Sequence, residues 1–211
     1  MLDVHPPGHA ISGMRDFLVH LLTITIGLLI ALGLEASVEA LAHRNQRIEA
    51  EATIRRELAD SRNKIDAAGH GIESELKGMI VILNYLEARQ QGKPGDLTGA
   101  SLSFSEGPLQ DAAWRTAAST GVLSYMDYST AEKYAVAYKE QDLYEAIQQQ
   151  ALDDYLQLGS FIPKGFDPAK DTVTKEQADS ALPIVRQTIA HLRGMGDVGL
   201  GARSAYQQAL R

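Results

Sequence analysis

The chain has 211 residues and a net charge of −7 with no long basic run, which argues against a nucleic-acid partner, since phosphate binding needs clustered lysine and arginine. It contains no cysteine, so disulfides, thiolate metal sites and cysteine nucleophiles are excluded, while the redox compartment stays open. One tryptophan and four phenylalanines among many alanines, leucines, glutamines and glutamates favour helices over a β-sandwich, and the length suits one domain plus an anchor.

Residues 1–16 read as an N-terminal tail. Phe17 to Leu34, FLVHLLTITIGLLIALGL, then forms a run of 18 residues whose one ionisable group is His20. A helix of that length spans about 27 Å, close to a hydrocarbon core of about 30 Å, so 17–34 is the predicted transmembrane helix. Two other readings fit an apolar run. A buried soluble helix would have to be apolar on every side, which a small domain seldom requires. A cleaved signal peptide would use Arg15 as its basic end and Ala31-Leu32-Gly33 as its cleavage site, but helical sequence continues through Glu35 to Leu41 without a break. Thr23, Gly27 and Ala31 stand four residues apart on one face, where small side chains allow another helix to approach closely. No acid or base lies mid-span, which argues against an ion or proton pathway.

The flanks give the membrane orientation little to work with. Arg15 stands beside Asp16 on the N-side; Glu35 and Glu39, then Arg44, Arg47, Arg55 and Arg56, follow on the C-side. A count of Lys and Arg places the C-terminal part in the cytoplasm, whereas the basic residue nearest the apolar core, Arg15, places it outside.

Residues 35–57 read as a solvated helical stalk and 58–211 as a helical bundle. Leu58, Ile65, Ile72, Met79 and Leu86 recur every seven residues, with Leu76 and Leu83 between them, forming an apolar seam for a core or a partner. Its earlier half is weaker, with Leu41, Ile48 and Ala52 among charges. Gly69, Gly71 and Gly78 weaken that helix and allow a bend near His70. Gly92-Lys93-Pro94-Gly95-Asp96 is a turn, and a loop follows to Gly107. Leu109 to Thr120 reads as a helix that Gly121 ends. Ser129-Thr130-Ala131-Glu132 is a capping-box pattern that starts a helix near Thr130, with Gly159 and Pro163 as its stop. After a loop with Gly165 and Pro168, the box Thr174-Lys175-Glu176-Gln177 opens a helix to about Arg193, with Pro183 as a kink. Gly194, Gly196, Gly199 and Gly201 predict a flexible stretch before a short last helix. The expected fold is all-α: a transmembrane helix continuing into a stalk and an antiparallel bundle.

Few residues suggest chemistry. Glu39 with His43, and Asp66 with His70, are i,i+4 pairs expected to be surface contacts; too few ligands converge for a metal. Asp153 and Asp154 are adjacent and diverge by about 100° on a helix, so they form no catalytic dyad. The segment GMGDVGLG, 194–201, follows a helix and does not open one after a strand, unlike a phosphate or dinucleotide loop. Ser119 and Ser124 lack an elbow motif. Trp114, Tyr125, Tyr128, Tyr134 and Tyr138 either line a pocket or pack in the core. No catalytic residue, metal or cofactor is expected. The partners expected are the lipid bilayer and other membrane-protein subunits, with a homo-oligomer also allowed.

Two blocks carry a resemblance. IGLLIALGLEASVEALAHR, Ile26 to Arg44, resembles the N-terminus of uncharacterised bacterial single-span proteins, in which a short apolar anchor runs into an acidic-flanked helix. AWRTAASTGVLSYMDYSTAEKYAVAY, Ala113 to Tyr138, resembles a second block of the same family. Together they cover about a fifth of the chain. The resemblance implies an anchored helical domain in the inner membrane, with its C-terminal part in the periplasm, and no assigned activity. The function expected is that of a non-enzymatic accessory or scaffold subunit; a single-span sensor with a ligand-binding bundle is the alternative.

Overall fold

The structure is a computed structural model that describes residues 13–104, 107–161 and 172–211. The predicted loop residues Pro163, Gly165 and Pro168 lie outside the described residues, as does most of the N-terminal tail. The chain is all-helical, with a long N-terminal helix followed by helices that pack against one another. These are α1 (Met14–Gln90), α2 (Ala112–Ser119), α3 (Tyr128–Ser160) and α4 (Lys175–Ala209), with a short 3-10 helix at Val122–Tyr125. The chain divides into two compact units, Met1–Ile48 and Glu49–Arg211.

In the first unit, the described residues form only the beginning of α1. Every apolar side chain from Phe17 to Leu41 is exposed, and none of the apolar window is buried. The buried-helix reading of 17–34 is thereby removed, because a core helix needs a core around it. α1 is long and apolar enough to cross a membrane.

The second unit is built on the rest of α1 together with α3 and α4. Ile54 and Glu57 are already buried, so packing begins before the predicted end of the stalk at 57. The reason is spacing: Ile54, Leu58, Ser61 and Ile65 share one face, and Arg55 and Arg56 fall on others. No bend is needed at His70, for α1 is continuous to Gln90. It ends as the glycine signal predicts. Gly92 takes a positive φ of 71°, its N–H donates to the Arg89 carbonyl, and the Lys93 N–H donates to the Ala88 carbonyl. This paired closure satisfies the last helical carbonyls. Gly78 has a different task. A side chain there would place its Cβ 2.9 Å from the Ser101 nitrogen, so glycine lets the 97–104 loop lie directly on the helix.

The contacts between α3 and α4 run in opposite order along the two helices: Gln141 meets Tyr206, Tyr144 meets Gly199 and Asp154 meets His191. They are therefore antiparallel, joined through 161–174. α4 also runs antiparallel to the bundle part of α1, since Arg55 donates to the carbonyls of Ala209 and Leu210 while Gln90 reaches Asp179. Arg55 thus covers carbonyls that the end of α4 cannot satisfy itself, and its charge suits the negative end of the helix dipole.

Two predicted details change. The stretch 194–201 is helical and does not set off a separate last helix; α4 continues to Ala209. Tertiary packing overrides glycine's low propensity, as at Gly199, where a Cβ would sit 3.3 Å from the Tyr144 ring and 3.5 Å from Ile65. Pro183 lies inside α4, where the sequence puts it. The cap of α3 is Asp127, two residues before the predicted cap Ser129, and its carboxylate accepts from the N–H groups of Ser129 and Thr130. Hydrogen bonds from the Ser129 hydroxyl and the Thr130 backbone hold this carboxyl below its usual range. The box at Thr174 forms as expected, with the Gln177 N–H on Thr174 Oγ1 and the Thr174 N–H on Gln177 Oε1.

Candidate interaction surfaces

The predicted small-residue face lies in the first unit, on the exposed part of α1. Thr23 turns its hydroxyl back onto the Val19 carbonyl at 2.8 Å, as Thr25 does onto Leu21. These bonds satisfy each hydroxyl within its own helix, so the face presents methyl and methylene groups. Around Gly27 nothing lies within 4 Å of an added Cβ, and Ala31 is exposed. Further along, Glu39 lies 3.8 Å from His43.

In the second unit the predicted seam faces inward. Leu58, Ile65, Ile72, Met79 and Leu86 are buried, while Leu76 and Leu83 are half-buried against the same core. The seam is therefore a core, not a free docking stripe. The expected Asp66–His70 pair does not form between side chains. His70 Nδ1 donates to the Asp66 carbonyl at 2.9 Å, and the Asp66 carboxylate faces Arg203 at 3.3 Å and Arg62 at 3.8 Å. Guanidinium groups outcompete the imidazole because they are always charged.

The five aromatic residues do not line one pocket. Tyr128 is 81% exposed and Tyr125 is exposed, whereas Tyr134 and Tyr138 are buried. Trp114 stacks on Tyr138 with ring centres 5.2 Å apart and planes 15° from parallel. Tyr138 belongs to a polar centre that joins three helices: its hydroxyl donates to Glu57 Oε1 at 2.5 Å, and Glu57 Oε2 accepts the Ala113 N–H at 2.9 Å. Burial, then the bond to Glu57, pushes the Tyr138 phenol well above its ordinary value. A second centre links Tyr206, whose hydroxyl donates to Gln141 Oε1 at 2.8 Å, with Gln141 donating to the Gln110 carbonyl at 3.0 Å. Glu145 accepts the Leu109 N–H at 2.9 Å, and burial raises its carboxyl.

A third centre is formed by Asp154 on α3 with His191 and Gln187 on α4. Oδ2 accepts from His191 Nδ1 at 2.7 Å and Oδ1 from Gln187 Nε2 at 3.0 Å. This pair fixes one imidazole nitrogen as donor and sets α3 and α4 in register. Asp153 takes no part in it, in line with the divergence of adjacent helical residues; it accepts from Gln149. Sequence reasoning missed Glu57 and Asp154 as buried groups, and His191 as the half-buried partner of Asp154. A signal existed for Asp154, which sits three residues after Ala151 and four before Leu158, within an apolar stripe.

Replacing Tyr138 with Phe is expected to lower stability by about 1–3 kcal/mol, because the buried Glu57 loses a hydrogen-bond donor. Scanning calorimetry reads this as a fall in Tm. The sign with pH follows from the raised phenol. Its contribution is intact below the unfolded value of about 10 and is lost as pH rises beyond it. The parent chain should therefore lose more stability between about pH 9 and 11 than Y138F does.

The second unit also holds an apolar cavity of about 290 Å³, lined by Ile82, Tyr85, Leu86, Leu97, Leu158 and Ala181 among others. The Tyr85 hydroxyl at its wall is engaged by the Val173 N–H at 3.2 Å. Among the described residues no group of three or more histidines and carboxylates is placed to hold a metal ion. No protein-family model matches the chain, and neither a curated protein nor a solved structure matches it.

Proposed function

We propose that the chain is a non-enzymatic, membrane-anchored accessory or scaffold protein, held by the single span 17–34 and docking on other membrane-protein subunits. The observation that carries this reading is the fully exposed apolar start of α1 in a chain whose second unit has its own buried core. An uncharged stretch of this length is stable among lipid tails and strongly unfavourable in water. The bundle does not need it for packing. In this reading the span lies in a bacterial inner membrane with the second unit in the periplasm, and the Thr23–Gly27–Ala31 face meets a neighbouring helix.

Affinity purification of the full chain from native membranes in a mild detergent tests this. The expected result is a stoichiometric complex with at least one different membrane subunit; recovery of this chain without any other protein speaks against it.

A second reading, a single-span sensor, draws support from the cavity beside Tyr85. Its volume lies at the lower edge of small-ligand sites, and its walls offer few polar groups to orient a ligand, which is why it stands second.

A further inference from the structure

From the end of the span onward, α1 keeps displaying apolar side chains, and the later ones lie beyond the reach of lipid. Leu34 is 65% exposed, Val38 69%, Leu41 58% and Ile48 48%. At 1.5 Å per residue Leu41 lies about 10 Å beyond Leu34 along the helix and Ile48 about 21 Å. The headgroup layer adds only about 5–8 Å to each side of the hydrocarbon core, so both lie in water.

These residues are not scattered. Counting Asn45, positions 34, 38, 41, 45 and 48 alternate in steps of four and three, and the same steps run back through Ala31 to Gly27. That is an a/d seam, with Val38 and Asn45 at a and Leu34, Leu41 and Ile48 at d. A branched residue at a with leucine at d favours two parallel strands, and a single asparagine at a fixes their register by pairing with its own copy. Charge agrees. Arg44 is at g and Glu49 at e, five residues on, which is the spacing at which a parallel partner brings Arg44 of one helix to Glu49 of the other. Continued past Ala52, the same steps meet Arg55, Arg62 and Asp66, so the seam closes there.

We infer that this surface is covered by a second copy of the chain, forming a parallel, in-register two-stranded coiled coil over 34–48 that continues into the membrane through Gly27 and Ala31. The parallel direction rests on the proposed span, since one N-terminal anchor points every copy the same way. The seam itself does not depend on it.

The absence of native cysteine makes the test direct. Single variants Leu34→Cys, Val38→Cys and Leu41→Cys of the full chain, oxidised in native membranes, should each form disulfide dimers. Ala36→Cys and His43→Cys, on the outer face, should form at least tenfold less. In the Leu41→Cys background, Arg44→Glu or Glu49→Arg alone should cut the dimer yield several-fold, and the two together should restore it. Equal yields on both faces, monomers throughout, or linkage to a different protein overturns the pairing, as does a charge swap that fails to rescue. A carbonate wash of the same membranes separates this from the anchor: seam dimers in the supernatant refute the span and leave the pairing, whereas a membrane-bound chain without the a/d pattern does the reverse.

Discussion

Placing aspartate at both Ile26 and Leu29 is expected to move the full chain from the membrane pellet to the supernatant. Each acid at the centre of a span costs about 2.5–3.5 kcal/mol on insertion scales, so the pair costs about 5–7 kcal/mol. At 1.4 kcal/mol per decade that is a shift of about three to five orders of magnitude in partitioning. Both positions avoid the 27–31–34 steps and both side chains are exposed, so the change touches neither the proposed pairing surface nor a packed core. Fractionation after a carbonate wash measures the outcome, with melting of the second unit as the control for folding. A parent chain that pellets and a double variant that does not is the expected pair of results. If the two fractionate alike, the apolar stretch is serving something other than a bilayer.

How much of this was readable in advance depends on what each signal measures. Periodicity reports which residues share a face, and it placed Leu58, Ile65, Ile72, Met79 and Leu86 together, as the buried seam shows. Local chemistry reports helix ends: Thr174 with Gln177, and Gly121 with its φ of 76°, occupy the positions their residue types favour. Neither signal sees a neighbouring helix. Gly194 to Gly201 looked weak because propensity is counted one residue at a time, while Gly199 is held by Tyr144 and Ile65 from elsewhere in the chain. Asp127 was passed over because Ser129 and Glu132 offer the more familiar spacing, though aspartate caps as well as serine. Glu57 falls at the end of the charged stretch that reads as a solvated stalk, and Asp154 is read only for its divergence from Asp153. Each is buried because donors on other helices reach it, and no count along one helix contains that information. Tyr125 and Tyr128 err the other way, since apolar bulk was equated with burial.

The sharpest division lies within α1, where two leucines 17 positions apart should respond in opposite ways to the same substitution. Leu58 is fully buried, and Leu58→Ala leaves a cavity that costs about 2–5 kcal/mol. For a chain of this size that lowers Tm by about 4–20 °C. Leu41→Ala removes an exposed side chain in the other compact unit, so it should leave the melting of the second unit within about 0.5 kcal/mol of the parent. What Leu41→Ala should lose is the paired state, read as a fall in disulfide dimer from the Leu34→Cys chain. Calorimetry and cross-linking on the same two variants therefore separate a residue that holds the fold from one that holds a partner. A fall of less than about 2 °C for Leu58→Ala would mean the seam does not anchor the core, since even about 1 kcal/mol should exceed it. A comparable fall for Leu41→Ala would mean that the first stretch of α1 is stabilised by the second unit, leaving no separate apolar surface for another copy to cover.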